Sequence, residues 1–70
     1  LPWRSVVTGD RWKLNLCAGD QSELFDLNSD PNELTNLFSD PAHQDRIRMM
    51  AAKIRLWQHE TGDDAPLPAV

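Results

Sequence analysis

The sequence predicts a small α+β fold: an antiparallel sheet of three to four strands with one long C-terminal amphipathic helix packed across it. Three observations lead there. Residues Arg11 to Leu16 alternate strictly, with Trp12, Leu14 and Leu16 on one side and Arg11, Lys13 and Asn15 on the other, the period of a half-buried strand. Gly9-Asp10, just before them, is a tight-turn signal. Ile47, Met50, Ala51, Ile54 and Trp57 recur at helical spacing behind an Asp40-Pro41 start signal.

Taken in order, Trp3 to Thr8 holds Val6 and Val7 and reads as the first strand. Gly9-Asp10 supplies a two-residue turn, so Trp3 to Leu16 is predicted as a hairpin. Cys17 to Ser22 is a loop. Glu23 to Leu27 is the third strand, and its apolar residues fall on both faces, which places it in the sheet interior or under another element. Asn28 to Asn32 turns the chain. Asp30, Pro31 and Glu33 have the spacing of a capping box with proline at the first helical position. One helical turn is predicted from Pro31 to Asn36, bringing Leu34, Leu37 and Phe38 down onto the sheet.

Asp40 and Pro41 repeat that start signal, and Gly62 is a suitable stop. The helix is predicted from Pro41 to Thr61, about 30 Å long at ~1.5 Å per residue. Met49 and Leu56 lie beside its main stripe, so its apolar face is wider than one packing surface needs. Residues 1–62 form one subdomain on this reading. Residues 63–70 form a tail that is flexible or draped on a neighbour.

A chain of 70 residues makes one domain, and one this short buries only about 60% of the surface its unfolded form exposes. Small scaffolds compensate with disulfides, a metal or a partner. Cys17 is the single cysteine, which excludes an intrachain disulfide, and His43 and His59 stand too far apart for a local metal pair. A partner surface is what remains. The chain opens on Leu1 rather than Met and is expected to come from a longer polypeptide. The net charge of −4 argues against nucleic acid as a partner, and no apolar run is long enough for a membrane span. Arg46, Arg48, Lys53 and Arg55 cluster on the helix, where a solvated face with charge favouring the helix C-terminus accounts for them.

Each candidate for chemistry fails at a named place. Asp26-Leu27-Asn28-Ser29-Asp30 matches the opening of an EF-hand calcium loop, but Pro31 stands where the loop needs glycine and Leu37 where it needs a bidentate glutamate. Turn chemistry explains the segment instead. Cys17 has no histidine near it in sequence and reads as a small packing residue. His43 falls in the first helical turn and His59 in the last, and both read as surface residues. No catalytic, cofactor-binding or metal-ligating residue is assigned. Trp3, Trp12 and Trp57 admit two readings: a compact core built on large rings, or at least one ring at an interface.

Two segments carry a family resemblance. Arg4-Ser5-Val6-Val7-Thr8-Gly9-Asp10-Arg11-Trp12-Lys13-Leu14 resembles the "R-x-V-x-T-x-x-[YW]-K" hairpin near the C-terminus of sulfatases, with one residue more between Thr8 and Trp12 than that pattern has. Glu23-Leu24-Phe25-Asp26-Leu27-Asn28-Ser29-Asp30-Pro31-Asn32-Glu33-Leu34-Thr35-Asn36-Leu37 resembles that family's "E-L-[YF]-D-L-x-x-D-P-x-E-x-x-N-L" segment, and the helix ending at Trp57 to Thr61 fits the usual close. The resemblance spans about residues 4–62. It implies a small C-terminal subdomain, a short antiparallel sheet with one helix across it, docked on a large catalytic α/β domain that resembles alkaline phosphatase.

In the family that catalytic domain holds a divalent cation, usually calcium, and a formylglycine made from Cys or Ser in a C/S-x-P/A-x-R sequence. Around Cys17 this chain has Gly19 and Gln21 where the maturation sequence has Pro or Ala and Arg. No catalytic or metal residue therefore carries over, and Asp26 and Asp30 match turn positions only. Phosphonate and phosphate monoester hydrolases share the architecture.

Two functions follow as expectations. The first is a structural subdomain of a sulfatase-type hydrolase whose partner is the catalytic domain of the parent chain. The second is a free-standing interaction or oligomerisation module, suggested by Met49, Leu56 and an exposed tryptophan. An isolated fragment of the first kind would bare its docking face, which favours a homodimer.

Overall fold

The computed structural model describes residues 3–70. Three strands, β1 (Trp3–Val7), β2 (Trp12–Cys17) and β3 (Glu23–Asp26), form an antiparallel sheet in the order β1-β2-β3. A short 3-10 turn over Pro41–His43 leads into the helix α1 (Gln44–Thr61). This is the predicted α+β fold, with a sheet of three strands. The helix lies over β1 and β2.

Between sheet and helix sits one core. Leu14, Leu16, Leu24, Ile47, Met50, Ala51 and Ile54 are its buried members, with Val6, Trp12, Leu37 and Phe38 packed against it. The β2 alternation predicted from the sequence places Leu14 and Leu16 there. Asn15, expected on a wet face, is only 2% exposed. It is on the middle strand, opposite Ser5 on one side and Glu23 on the other. Ser5 Oγ donates to Asn15 Oδ1 at 2.6 Å, and Asn15 Nδ2 donates to Glu23 Oε1 at 3.2 Å. Trp3 Nε1 in turn donates to Ser5 Oγ at 3.0 Å. This polar ladder lets a buried amide on the outer face satisfy its hydrogen-bonding groups.

The hairpin differs from prediction by one residue. Thr8 N–H donates to Trp12 O and Arg11 N–H donates to Thr8 O, so the loop is Gly9-Asp10-Arg11, with Arg11 in the left-handed region at φ 65°. That is a turn followed by a one-residue bulge. The difference decides the register. Val6 faces Leu14 across the ladder and Val7 faces Lys13. A two-residue turn would have put Val7 opposite Trp12 and on the core side. Val7 is instead 56% exposed. The bulge is braced from outside, because Leu27 N–H donates to Arg11 O at 2.9 Å and Asn28 Nδ2 donates to Asp10 O at 2.8 Å.

Arginine is a costly residue in the left-handed region. Arg11→Gly is expected to stabilise the domain by up to about 1 kcal/mol, since glycine keeps the backbone contacts without that cost and gives back part of the gain as chain entropy. A urea midpoint that falls in the variant would show instead that the arginine side chain contributes.

The predicted helical turn from Pro31 to Asn36 does not form. Asp30 O accepts from Glu33 N–H, and the Asp30 carboxylate accepts from Leu34 N–H and Thr35 N–H, both at 2.9 Å. Glu33 takes a left-handed conformation at φ 56°, which stops a helix there. It does not reach back as a capping box. Lys13 Nζ meets its carboxylate at 3.2 Å instead. Leu34, expected on the sheet, is 82% exposed, while Leu37 and Phe38 pack as predicted.

The reason is the outer edge of β3, which needs partners. Leu37 N–H donates to Leu24 O, and the Asn36 side chain accepts from Leu24 N–H at 3.1 Å and donates to Ser22 O at 3.2 Å. One asparagine amide thus stands in for a strand.

Asp40 caps the second start signal as predicted, accepting from Ala42 N–H, and Gly62 ends the helix in the left-handed region at φ 72°. Residues 63–70, read as a flexible or draped tail, lie against the domain: Leu67 and Val70 pack on the core and Arg55 donates to Val70 O. No helix of the described residues is long and apolar enough to cross a membrane.

Candidate docking surface

The candidate catalytic residues do not meet. Cys17 ends β2 and is 5% exposed, opposite Trp3 in the ladder. His43 packs against Trp12 at the far end of the same strand, with ring centroids 5.2 Å apart. Five residues of extended chain put about 17 Å between those ends. His59 is exposed in the last turn of α1. A thiol and a base placed so cannot exchange a proton directly.

Asp26 and Asp30 spend their oxygens on their own turns. Asp26 accepts from Asn28 N–H and from the Asn28 and Ser29 side chains. Burial works against its charge, but those hydrogen bonds outweigh it and hold the carboxyl below the usual range. Among the described residues, no group of three or more His, Cys, Asp or Glu side chains is placed to hold a metal ion.

Three of the four basic residues on the helix, Arg48, Lys53 and Arg55, are exposed as a solvated face requires, and Arg46 is half-buried. The Arg46 guanidinium lies over the Trp12 ring, 4.3 Å from its centroid, and pairs with Asp10 at 3.0 Å. Asp10 is kept below the ordinary carboxylate range by the Thr8 hydroxyl and by Arg46. Arg48 pairs with Asp45, and Arg55 holds Val70 O. Lys53 is exposed and has no ion pair among the described residues.

One contact that no local spacing announced ties the two ends of the domain together. Arg4 Nε and Nη2 donate to the two Asp63 oxygens at 2.6 and 2.9 Å, across 59 positions of sequence. A fork-on-carboxylate pair is a strong, oriented contact. Arg4, with Gln58 assisting, holds the Asp63 carboxyl far below the usual range, and Asp63 raises Arg4.

The sign of the pH effect follows. A carboxyl depressed in the folded state adds stability above its unfolded value, near 4, and loses it as pH falls below that value. The urea midpoint should therefore begin to drop below about pH 5 and keep falling into strong acid, toward the lowered folded-state value. Asp63→Asn should flatten part of that drop, and an unchanged slope in the variant would count against the pair.

The surface also exposes apolar side chains. Trp3, Val7, Leu34, Met49, Leu56 and Trp57 are all exposed. Trp3 and Trp57 flank a groove of about 320 Å³ between β1 and α1, so two of the three tryptophans are half-exposed rather than core. Trp12 alone packs on the core. Exposed apolar side chains become a candidate docking surface where they gather, as Trp3 and Trp57 do beside this groove. No family model, curated protein or solved structure matches this chain.

Proposed function

We propose that this chain is the C-terminal structural subdomain of a sulfatase, a sulfuric ester hydrolase, and that it packs on a catalytic α/β domain that carries the chemistry. The observation behind the reading is the segment from Glu23 to Leu37, whose likeness to the sulfatase segment runs at fixed spacing. Its residues divide into two kinds. Asp30, Asn36 and Leu37 knit the turn to the edge of β3. Leu34 stands 82% exposed on that braced turn, an apolar side chain directed away from its own domain. A hydrogen-bonded turn that holds a leucine out in solvent suits a docking face better than a catalytic loop.

On this reading the divalent cation, calcium in the family, and the formylglycine belong to the catalytic domain. The subdomain covers a face of that domain and hydrolyses nothing by itself. The test is the reading frame upstream of Leu1. A C/S-x-P/A-x-R sequence is expected within the preceding few hundred codons, and a frame without one sinks the reading. A start codon directly before Leu1 with a stop codon after Val70 would favour the free-standing interaction module.

A further inference from the structure

Residues 65–70 are built to lie extended. Pro66 and Pro68 lock their own φ at about −65°. Ala65 and Leu67 each precede a proline, which keeps them out of the helical region. A segment of this kind winds with about three residues per turn and makes no hydrogen bonds of its own. Leu67 and Val70 therefore fall on one side of it, and its carbonyls are free to accept from elsewhere. Both features are used. Leu67 and Val70 pack on the core, while Pro66 and Ala69 are exposed. Ala65 O accepts from Gln58 Nε2 at 3.1 Å, and Val70 O accepts from Arg55 Nη2 at 2.8 Å. Arg55 and Gln58 stand one turn apart on a single face of α1.

We propose that this face of α1 and the core surface beside it form a recognition site for a proline-flanked extended segment, and that Ala65–Val70 fills it as the chain's own ligand, docking and releasing as a unit while sheet and helix stay folded. Apolar seats for side chains that recur every third residue are how grooves read proline-rich segments, whose shape is set before binding. Here α1 adds two side-chain donors for the segment's carbonyls. Each of these contacts is made to an apolar side chain or to a backbone carbonyl, so shape rather than charge selects the occupant. The root of the segment is fixed. Arg4 clamps Asp63, and Asp63 Oδ1 accepts from Ala65 N–H at 3.4 Å. So short a tether keeps the local concentration of the segment high, and the site is closed at rest. A segment of the same build on another molecule enters only where Ala65–Val70 has left. None of this depends on the sulfatase reading.

The test uses the full 70-residue chain, followed by nuclear magnetic resonance. Leu67→Ser combined with Val70→Ser removes both apolar anchors. Amides of residues 67, 69 and 70 should become mobile, while the Leu14 and Ile54 amides keep their protection from exchange. A capped peptide copying Asp64 to Val70 should then bind the variant, shifting the side-chain signals of Arg55 and Gln58. It should barely shift those of the parent chain, whose site is filled. The same peptide with both prolines replaced by glycine should bind the variant about tenfold more weakly, because more chain freedom is lost on docking. Global unfolding of the variant would make the segment part of the core and overturn the proposal. So would a segment that stays ordered without its anchors, a folded variant that ignores the peptide, equal shifts in parent and variant, or equal binding of the two peptides.

Discussion

Leu14→Ala is expected to remove a large share of the stability of the domain at 25 °C. Leu14 is fully buried in the middle strand, opposite Val6 on one side and Leu24 on the other, and belongs to the cluster with Ile47, Met50, Ala51 and Ile54. Removing a buried leucine costs about 2–5 kcal/mol through lost transfer energy and the cavity left behind. A domain of 70 residues holds roughly 4–10 kcal/mol in all. The change therefore consumes a large share of the total. Val7→Ala, on the exposed side of β1, should stay within about 0.5 kcal/mol of the parent. Urea melts followed by far-ultraviolet circular dichroism separate the two. A loss below about 1 kcal/mol for Leu14→Ala would mean that the core is not organised around this residue.

Asn36→Leu should come close to that cost without creating a cavity. The volumes are similar, but the amide is gone. Leu24 N–H and Phe38 N–H lose their acceptor and Ser22 O loses its donor. Leu24 is fully buried. Each buried polar group left without a partner costs about 1–3 kcal/mol. With water able to reach the Phe38 amide and the Ser22 carbonyl in part, a loss of about 2–4 kcal/mol is expected.

Asn36→Asp keeps both acceptor contacts and sets an oxygen against Ser22 O. It should be damaged less, and should recover as acid protonates the new carboxyl into a donor. Hydrogen exchange at the Leu24 amide is the direct readout. Protection of that amide unchanged in Asn36→Leu would show that the edge of β3 does not depend on Asn36.

Asn36 also shows where sequence reasoning reaches its end. Asp30-Pro31 and Asp40-Pro41 carry the same start signal, and both were expected to open helices. The second does, because Gln44 onward supplies good helix formers and an apolar stripe that Ile47, Met50, Ala51 and Ile54 bury. The first does not, because β3 needs a partner along its edge and the segment after Pro31 supplies one. That demand belongs to the sheet, and nothing within the segment's own spacing announces it.

The hairpin tells a similar story on a smaller scale. Gly9-Asp10 correctly located the turn. The extra loop residue at Arg11 was invisible, since arginine is a poor occupant of the left-handed region and is kept there by contacts from Leu27 and Asn28. By contrast, the β2 alternation, the Asp40 cap, the Gly62 stop and the helical stripe were all legible, because each is settled within a few residues. The docking surface was half legible. Met49 and Leu56 stood out as surplus, but the pairing of Trp3 with Trp57 across a groove required the register that the Arg11 bulge sets.

The Arg4–Asp63 clamp has a mechanical consequence. It fastens the start of β1 to the segment that follows α1. Tension applied between Trp3 and Asp64 would load that one clamp first, in the direction that peels β1 from the end of α1, before any core side chain bears force.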